Sequence, residues 1–355
     1  MKRGANVRHT VEVQPAELDL PSSSAYELES QEASWQFYMH LAEGLFYLGD
    51  RDACLKYVAK AVEEAGEAGR SDPRLAKSLN AMGVLHCNHG NFGGAERALK
   101  QAIAIYQNAP GRNDAELAQA YFNLAHAYKF QDRLEEAAAE YERALEITEA
   151  ALGKDHPDVA LVLDGLGEVY MALDRRSAAL FAFRRSLSIK EAALGPDDWS
   201  TAVTLVHLGE FYMRGGRYSE AEPVLTRALA IKQRIVGRDD PSLAADLKRL
   251  GEVYSALHKY AEAESLFAYA LEMLRKTLGP NHPDIVSNLH ALAQTYREQA
   301  RFTEAKKLLE LSTAILEKAA GPERAESAVA LEFYSEILRV LHLNAAGSLE
   351  PGYAL

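Results

Sequence analysis

The sequence predicts an all-α fold, an α-solenoid of antiparallel helix pairs, and three observations carry that reading. Small residues recur every 42 positions, at Gly83, Ala125, Gly167, Gly209, Gly251 and Ala293. Three residues after each stands a ring: His86, Tyr128, Tyr170, Tyr212, Tyr254 and Tyr296. Twelve residues after each stands an alanine: Ala95, Ala137, Ala179, Ala221, Ala263 and Ala305. A period of this length marks helical units that cannot bury their apolar faces alone and therefore stack on their neighbours. A stack shares one continuous core, so the 355 residues read as one array with short ends rather than as two globular domains.

Residues 1–30 come first and show no periodicity. No Lys or Arg occurs between Arg8 and Arg51, while Glu12, Glu17, Asp19, Glu27 and Glu29 accumulate beside Pro15, Pro21 and three consecutive serines. This composition predicts a flexible acidic arm. Residues 31–326 then read as seven repeats. The first is divergent, with Ala42 in the place of the later glycines and Ala61 in that of Ala102 and Ala144. In the fourth repeat Leu163, Leu166, Gly167 and Tyr170 fall at i, i+3, i+4 and i+7, one face of a helix. A turn is expected at Asp174-Arg175, and Ala179, Phe183, Leu187 and Leu194 should run along the inner face of a second helix. A side chain larger than Ala at 167 or 179 would overpack the pair, at a cost of about 1–3 kcal/mol.

The stop between repeats is equally legible. Leu152-Gly153-Lys154-Asp155-His156-Pro157-Asp158 recurs as Leu278-Gly279-Pro280-Asn281-His282-Pro283-Asp284, with looser copies at 194–198 and 236–241. Gly is expected to end each second helix in a left-handed cap. An Asp or Asn should cap the next helix, and Pro suits its first turn. After the array, residues 327–345 carry Val329, Leu331, Phe333, Ile337, Leu338, Val340 and Leu341 and read as a capping helix, followed by a loose tail at 346–355.

Composition narrows the function. Lys and Arg number 39 against 51 Asp and Glu, a net charge of -12, which disfavours nucleic acid and anionic membranes as partners. No apolar run reaches the length of a bilayer span. Two cysteines, Cys54 and Cys87, and an N-terminus without an apolar stretch are consistent with a reducing, cytoplasmic setting. No Gly-rich phosphate loop follows a strand, and no Ser-His-Asp or Cys-His arrangement stands out, so the expectation is a protein that is not an enzyme and needs no cofactor. His86-Cys87-x-His89 hints at metal, but His86 fills a tyrosine position and the three side chains cannot share one helix face, so no metal site is expected.

The pattern Leu-Gly-x-x-Tyr followed by Ala-x-x-x-Phe, at Leu166-Gly167 to Tyr170 and Ala179 to Phe183, resembles the tetratricopeptide repeat. With the 42-residue period and the linker from Leu152 to Ala160, it is similar to the subtype found in kinesin light chains. The resemblance covers about residues 35–325. It implies a right-handed superhelix whose concave groove, lined by the first helix of each pair, binds peptide segments of partner proteins. Kinesin light chains carry a long heptad coiled coil ahead of their repeats, whereas about 30 irregular residues precede these, so the resemblance implies the binding module rather than a motor subunit. Chaperone-tail binders of the family grip a carboxylate with lysines, asparagines and an arginine. Leu161 and Gly165 stand here where basic residues would follow Asn123.

On that frame the groove stripe is Leu161, Asp164, Gly165, Glu168, Met171 and Ala172 in the fourth repeat. It continues as Val203, Val206, His207, Glu210, Met213 and Arg214, then Ala245, Lys248, Arg249, Glu252, Ser255 and Ala256. Glu168, Glu210 and Glu252 share one register, an acidic ladder. Together with Asp164 it would receive Lys or Arg of a partner, while Met171 and Met213 supply adaptable apolar contact. The competing reading pairs these glutamates internally with Lys248, Arg249, Arg214 or Arg297. Toward the N-terminus the stripe becomes Lys77, Asn80, Gln119, Phe122, Asn123, His126, Lys129 and Phe130, a set suited to an acidic peptide. The leading expectation is a non-catalytic scaffold for a protein or peptide ligand, as a monomer or weak homodimer. Two alternatives are a switch whose N-terminal arm occupies the groove until displaced, and a homo-oligomer paired through helix 327–345.

Overall fold

The computed structural model of the chain describes residues 31–69, 71–109 and 114–320, and every long element in them is an α-helix. The arm at 1–30, the capping helix at 327–345 and the tail at 346–355 lie outside the described residues. Contacts divide the chain into two compact units after Gly111. The N-terminal unit holds α1 (Gln31–Tyr47), α2 (Arg51–Ala68), α3 (Pro73–Asn88) and α4 (Phe92–Asn108). Its core gathers Ala42, Cys54, Val58 and Leu85, and the indole of Trp35 donates to the hydroxyl of Ser78 at 2.8 Å.

The C-terminal unit holds α5 (Asp114–Phe130), α6 (Leu134–Leu152), α7 (Pro157–Ala172), α8 (Arg176–Ala193) and α9 (Trp199–Arg214). It continues with α10 (Tyr218–Val236), α11 (Ala244–Ala256), α12 (Tyr260–Leu278), α13 (Val286–Glu298) and α14 (Phe302–Ala320). Each helix packs on the next. The odd-numbered helices also meet one another, α5 on α7, α7 on α9 and α11 on α13, more closely than the even-numbered ones do, so the odd helices line the inner side of this stack.

The repeat columns become packing columns. Ala95, Ala137, Ala179, Ala221, Ala263 and Ala305 are all fully buried. Sixteen residues beyond each small residue lies a large one, Leu99, Tyr141, Phe183, Leu225, Phe267 and Leu309, also buried. A Cβ added at Gly167 would come within 2.5 Å of the Phe183 ring, and one at Gly251 within 2.7 Å of Phe267. The glycines are therefore the recesses into which these rings fit. Leu194 leaves the expected inner face: like Leu152, Val236 and Leu278 it ends its helix and is about two-fifths exposed.

Two capping devices repeat with the same period. At the corner inside each pair from α3–α4 onward, Gly90, Asp132, Asp174, Gly216, His258 and Ala300 adopt φ between 55° and 71°. The next residue donates its N–H back to the carbonyl of the ring position, as Arg175 does to Tyr170 at 2.8 Å, which closes a Schellman motif. At the five corners whose ring is a tyrosine that next residue is a cation and lies over the same ring, with Arg133 4.1 Å from Tyr128 and Arg301 4.0 Å from Tyr296. Between pairs the structure corrects the expected left-handed cap. Gly153, Gly237 and Gly279 take φ of 91° to 93° with ψ of 158° to 159°. This is an extended conformation open to glycine alone, and it leads the chain straight toward the next cap instead of back along its own helix. That cap is Asp at 72, 198 and 240, as expected. At 156 and 282 it is His, whose Nδ1 accepts the N–H two residues on at 3.2 and 3.3 Å.

Candidate functional site

The expected groove residues fall into both units. Lys77 and Asn80 lie on α3 in the N-terminal unit, where the Lys77 ammonium stands 5.8 Å from the centre of the Trp35 indole. The others lie on α5, α7, α9 and α11 in the C-terminal unit. On α5, Phe122, His126 and Phe130 come at i, i+4 and i+8 and form a row of rings, with centroids 6.5 and 4.7 Å apart. Phe122 also meets Tyr141 edge-on at 5.4 Å. Burial, with help from the nearby Lys129, pushes the His126 imidazole below its ordinary pKa. Gln119 donates to Asn123 at 3.1 Å, so these two amides bond to each other.

Asp164 is corrected outright. Instead of lining the groove it is buried with Lys190 of α8, whose ammonium lies 2.5 Å from its carboxylate, and the hydroxyl of Thr204 donates to it at 2.9 Å. The i, i+4 spacing that puts Asp164 beside Glu168 does not distinguish the open edge of the stripe from its covered one. Gly165 is also covered, because a Cβ there would strike the Tyr141 ring at 2.7 Å. The Tyr141 hydroxyl is buried without a hydrogen-bond partner, and desolvation raises its pKa.

The glutamate ladder exists as a register but is engaged from within. Glu168 accepts from Lys129 at 2.9 Å and lies 3.7 Å from the imidazole of His207. Glu210 accepts from Arg249 at 2.6 Å, and Arg249 also reaches Asp246 at 3.2 Å, which itself pairs with Lys232 at 2.7 Å. Glu252 pairs with Lys248 at 2.6 Å. Each pair links neighbouring helices or successive turns and leaves the wall close to neutral. Met171 and Met213 remain half-buried along it, and Arg214 is exposed with no acidic partner among the described residues.

The open space lies toward the C-terminal end. A cavity of about 580 Å³ is walled by Met213 and Arg214 of α9, Ala245, Lys248, Arg249 and Glu252 of α11, and Ser287 and Asn288 of α13. A second of about 550 Å³ shares Lys248, Glu252 and Ser287 and extends over Ser255, His290, Gln294 and Glu298. Together they form a trough across three successive odd helices. By contrast, the cavity beside Gln119, Phe122 and Leu161 holds about 90 Å³. The residues of α13 escaped the sequence reading, although adding 42 to Ala245, Lys248, Glu252 and Ala256 gives Ser287, His290, Gln294 and Glu298. The period itself was the missing signal.

Comparison with known proteins agrees with this architecture. The tetratricopeptide repeat family matches residues 36–108, 116–192, 200–276 and 247–318. No curated protein matches the sequence. Among solved structures, BtubC (BKLC) from P. vanneervenii is similar over 72% of this chain and 93% of its own, at 23% identity and a TM-score of 0.55. The putative kinesin light chain with nearly identical TPR-like repeats from Podosopora anserina is 26% identical. It matches over 59% of this chain and 98% of its own, with a TM-score of 0.53. The apo form of RapI is 15% identical, with a TM-score of 0.62 over 80% of this chain and 98% of its own, a likeness of fold alone.

Proposed function

Because the chain belongs to the tetratricopeptide repeat family, we propose that it is a non-catalytic interaction scaffold that binds a segment of a partner protein in the trough across α9, α11 and α13. The continuous pair of cavities on three successive odd helices carries this reading, since it offers the length an extended or helical peptide needs. The wall mixes half-buried Met213 and small Ala245 with paired charges, which gives apolar contact and hydrogen bonding without a large desolvation cost. The ladder of Glu168, Glu210 and Glu252 acts in this reading as part of the wall and not as the acceptor of a basic ligand. A cytoplasmic location, in keeping with free Cys54 and Cys87, is part of the same proposal. No helix among the described residues is long and apolar enough to cross a membrane.

The test is selection from a random peptide library on the full chain, beside two variants that obstruct one stretch each. Ala245→Trp places an indole in the trough from an exposed position, and Leu161→Trp does the same at the α5–α7 end. Enriched peptides should bind the parent and Leu161→Trp alike and lose at least about tenfold in affinity for Ala245→Trp, a loss of roughly 1.4 kcal/mol. Binding that survives Ala245→Trp would place the site elsewhere.

A further inference from the structure

Below the groove the C-terminal unit repeats a buried motif twice and then leaves it incomplete. At the junction of α7 and α9, Lys190 rises from α8 and its ammonium meets Asp164 at 2.5 Å, Thr204 at 2.9 Å and the carbonyl of Ser200 at 3.3 Å. One repeat on, Lys232 rises from α10 to Asp246 of α11 at 2.7 Å. Thr204 and Asp246 are 42 apart, and so are Lys190 and Lys232. The next members of the two columns are Asn288 on α13 and Leu274 on α12. The acceptor position is kept and the ammonium is gone.

The consequence shows in the side chains. Asn288 is 2% exposed, and its Oδ1 is buried with no hydrogen-bond partner. A buried amide oxygen left unpaired is costly and uncommon. Both Leu274 and Asn288 belong to the wall of the 580 Å³ cavity, whereas Lys190 and Lys232 do not line it. The incomplete junction is therefore the one that opens to the groove.

We propose that this junction is completed by the ligand: a lysine side chain of the bound segment passes over Leu274 and sets its ammonium against Asn288, where Lys190 and Lys232 stand at the two preceding junctions. The inference rests on the groove reading above and names the chemistry of its ligand. The Asn288 amide turns about its soft terminal torsion to meet the ammonium. Asp284, on the same wall, supplies a carboxylate whose nearest partner is the exposed His282 at 3.6 Å. The cations nearby do not oppose the arrangement. Lys248 is held by Glu252 and Arg249 by Glu210, and Asp246 already accommodates Lys232 and Arg249 together. A lysine stem suits the Leu274 and Ala244 surface, since its methylenes bury while its head hydrogen-bonds.

The test uses the full chain and three synthetic peptide libraries, random except at one central position fixed as Lys, Nε-acetyl-lysine or Glu. The Lys library should be retained on the parent at least about tenfold better than the other two. Leu274→Lys, which restores the internal pattern, should abolish that preference, while Leu274→Met keeps it. Asn288→Leu removes an unpaired polar group, so it should fold with an unchanged or higher Tm and lose the preference, and it decides the matter if Leu274→Lys does not fold. Preference for the Glu library, or a lysine preference untouched by Asn288→Leu, would overturn the proposal. Retention that Ala245→Trp blocks but that shows no lysine preference would overturn this inference and leave the groove reading standing. Failure to retain any library would overturn both.

Discussion

His126 shows how a single side chain couples the groove to pH. It lies between Phe122 and Phe130 on α5, and burial there disfavours the imidazolium, with Lys129 adding repulsion and Glu168 opposing it. Its folded pKa therefore lies below the ordinary value of 6.5, and the unfolded chain takes up a proton first as pH falls. The stability this group contributes is complete above about pH 6.5 and is lost as pH falls through the lower folded value. His86 and His290 are shifted in the same direction by burial and add to the effect. The thermal midpoint should fall between about pH 7.5 and 5.5, and His126→Phe should make that fall smaller. An identical fall in parent and variant would show that His126 titrates alike folded and unfolded. The Asp164–Lys190 pair works at the same scale in the opposite manner. It is buried, mutually compensated and bonded to Thr204, so neither charge is available to a ligand.

At the scale of the element, the helix corner combines backbone and side chain in one motif. The Tyr carbonyl accepts the closing hydrogen bond, and the Tyr ring carries the cation of the residue that donates it. The left-handed residue between them is glycine at 90 and 216, while Asp132, Asp174, His258 and Ala300 hold the same conformation with a Cβ. Ala300 has no polar side chain to hydrogen-bond locally, so it bears the left-handed penalty, about 1–2 kcal/mol, without relief. Ala300→Gly should therefore raise stability by about 0.5–1 kcal/mol in chemical denaturation, even though glycine loosens the unfolded chain. A destabilised variant would mean that the Ala300 methyl packs usefully at the corner.

At the scale of the whole molecule, charge is distributed so that odd helices hold one another. Lys129 on α5 reaches Glu168 on α7, and Arg249 on α11 reaches Glu210 on α9. Reversing the ladder with Glu168→Lys, Glu210→Lys and Glu252→Lys together should cost about 1–3 kcal/mol, because three partly exposed pairs become repulsions. The same change should leave binding in the trough weakened less than Ala245→Trp does. If the triple variant is as stable as the parent, the ladder is ornamental to the fold and its availability to a ligand must be reconsidered.

The helical class, the pairing of helices and the family were legible in the sequence, because a small residue, a ring and an alanine at fixed offsets are local demands that each repeat meets by itself. The cap positions were legible as well, down to the glycines that end α6, α10 and α12, although not the extended backbone those glycines adopt. The sequence could not settle which polar residues of the stripe face the open groove. Asp164 and Glu168 are one turn apart on the same helix, and only the approach of α8 and α9 buries the first and leaves the second half-open. Nor could it show that Asn288 lacks a partner, since that depends on what α12 brings beneath α13, a leucine where the two helices before it bring a lysine. Local spacing fixes which residues share a helix face, and the packing of neighbouring helices decides which part of that face remains exposed.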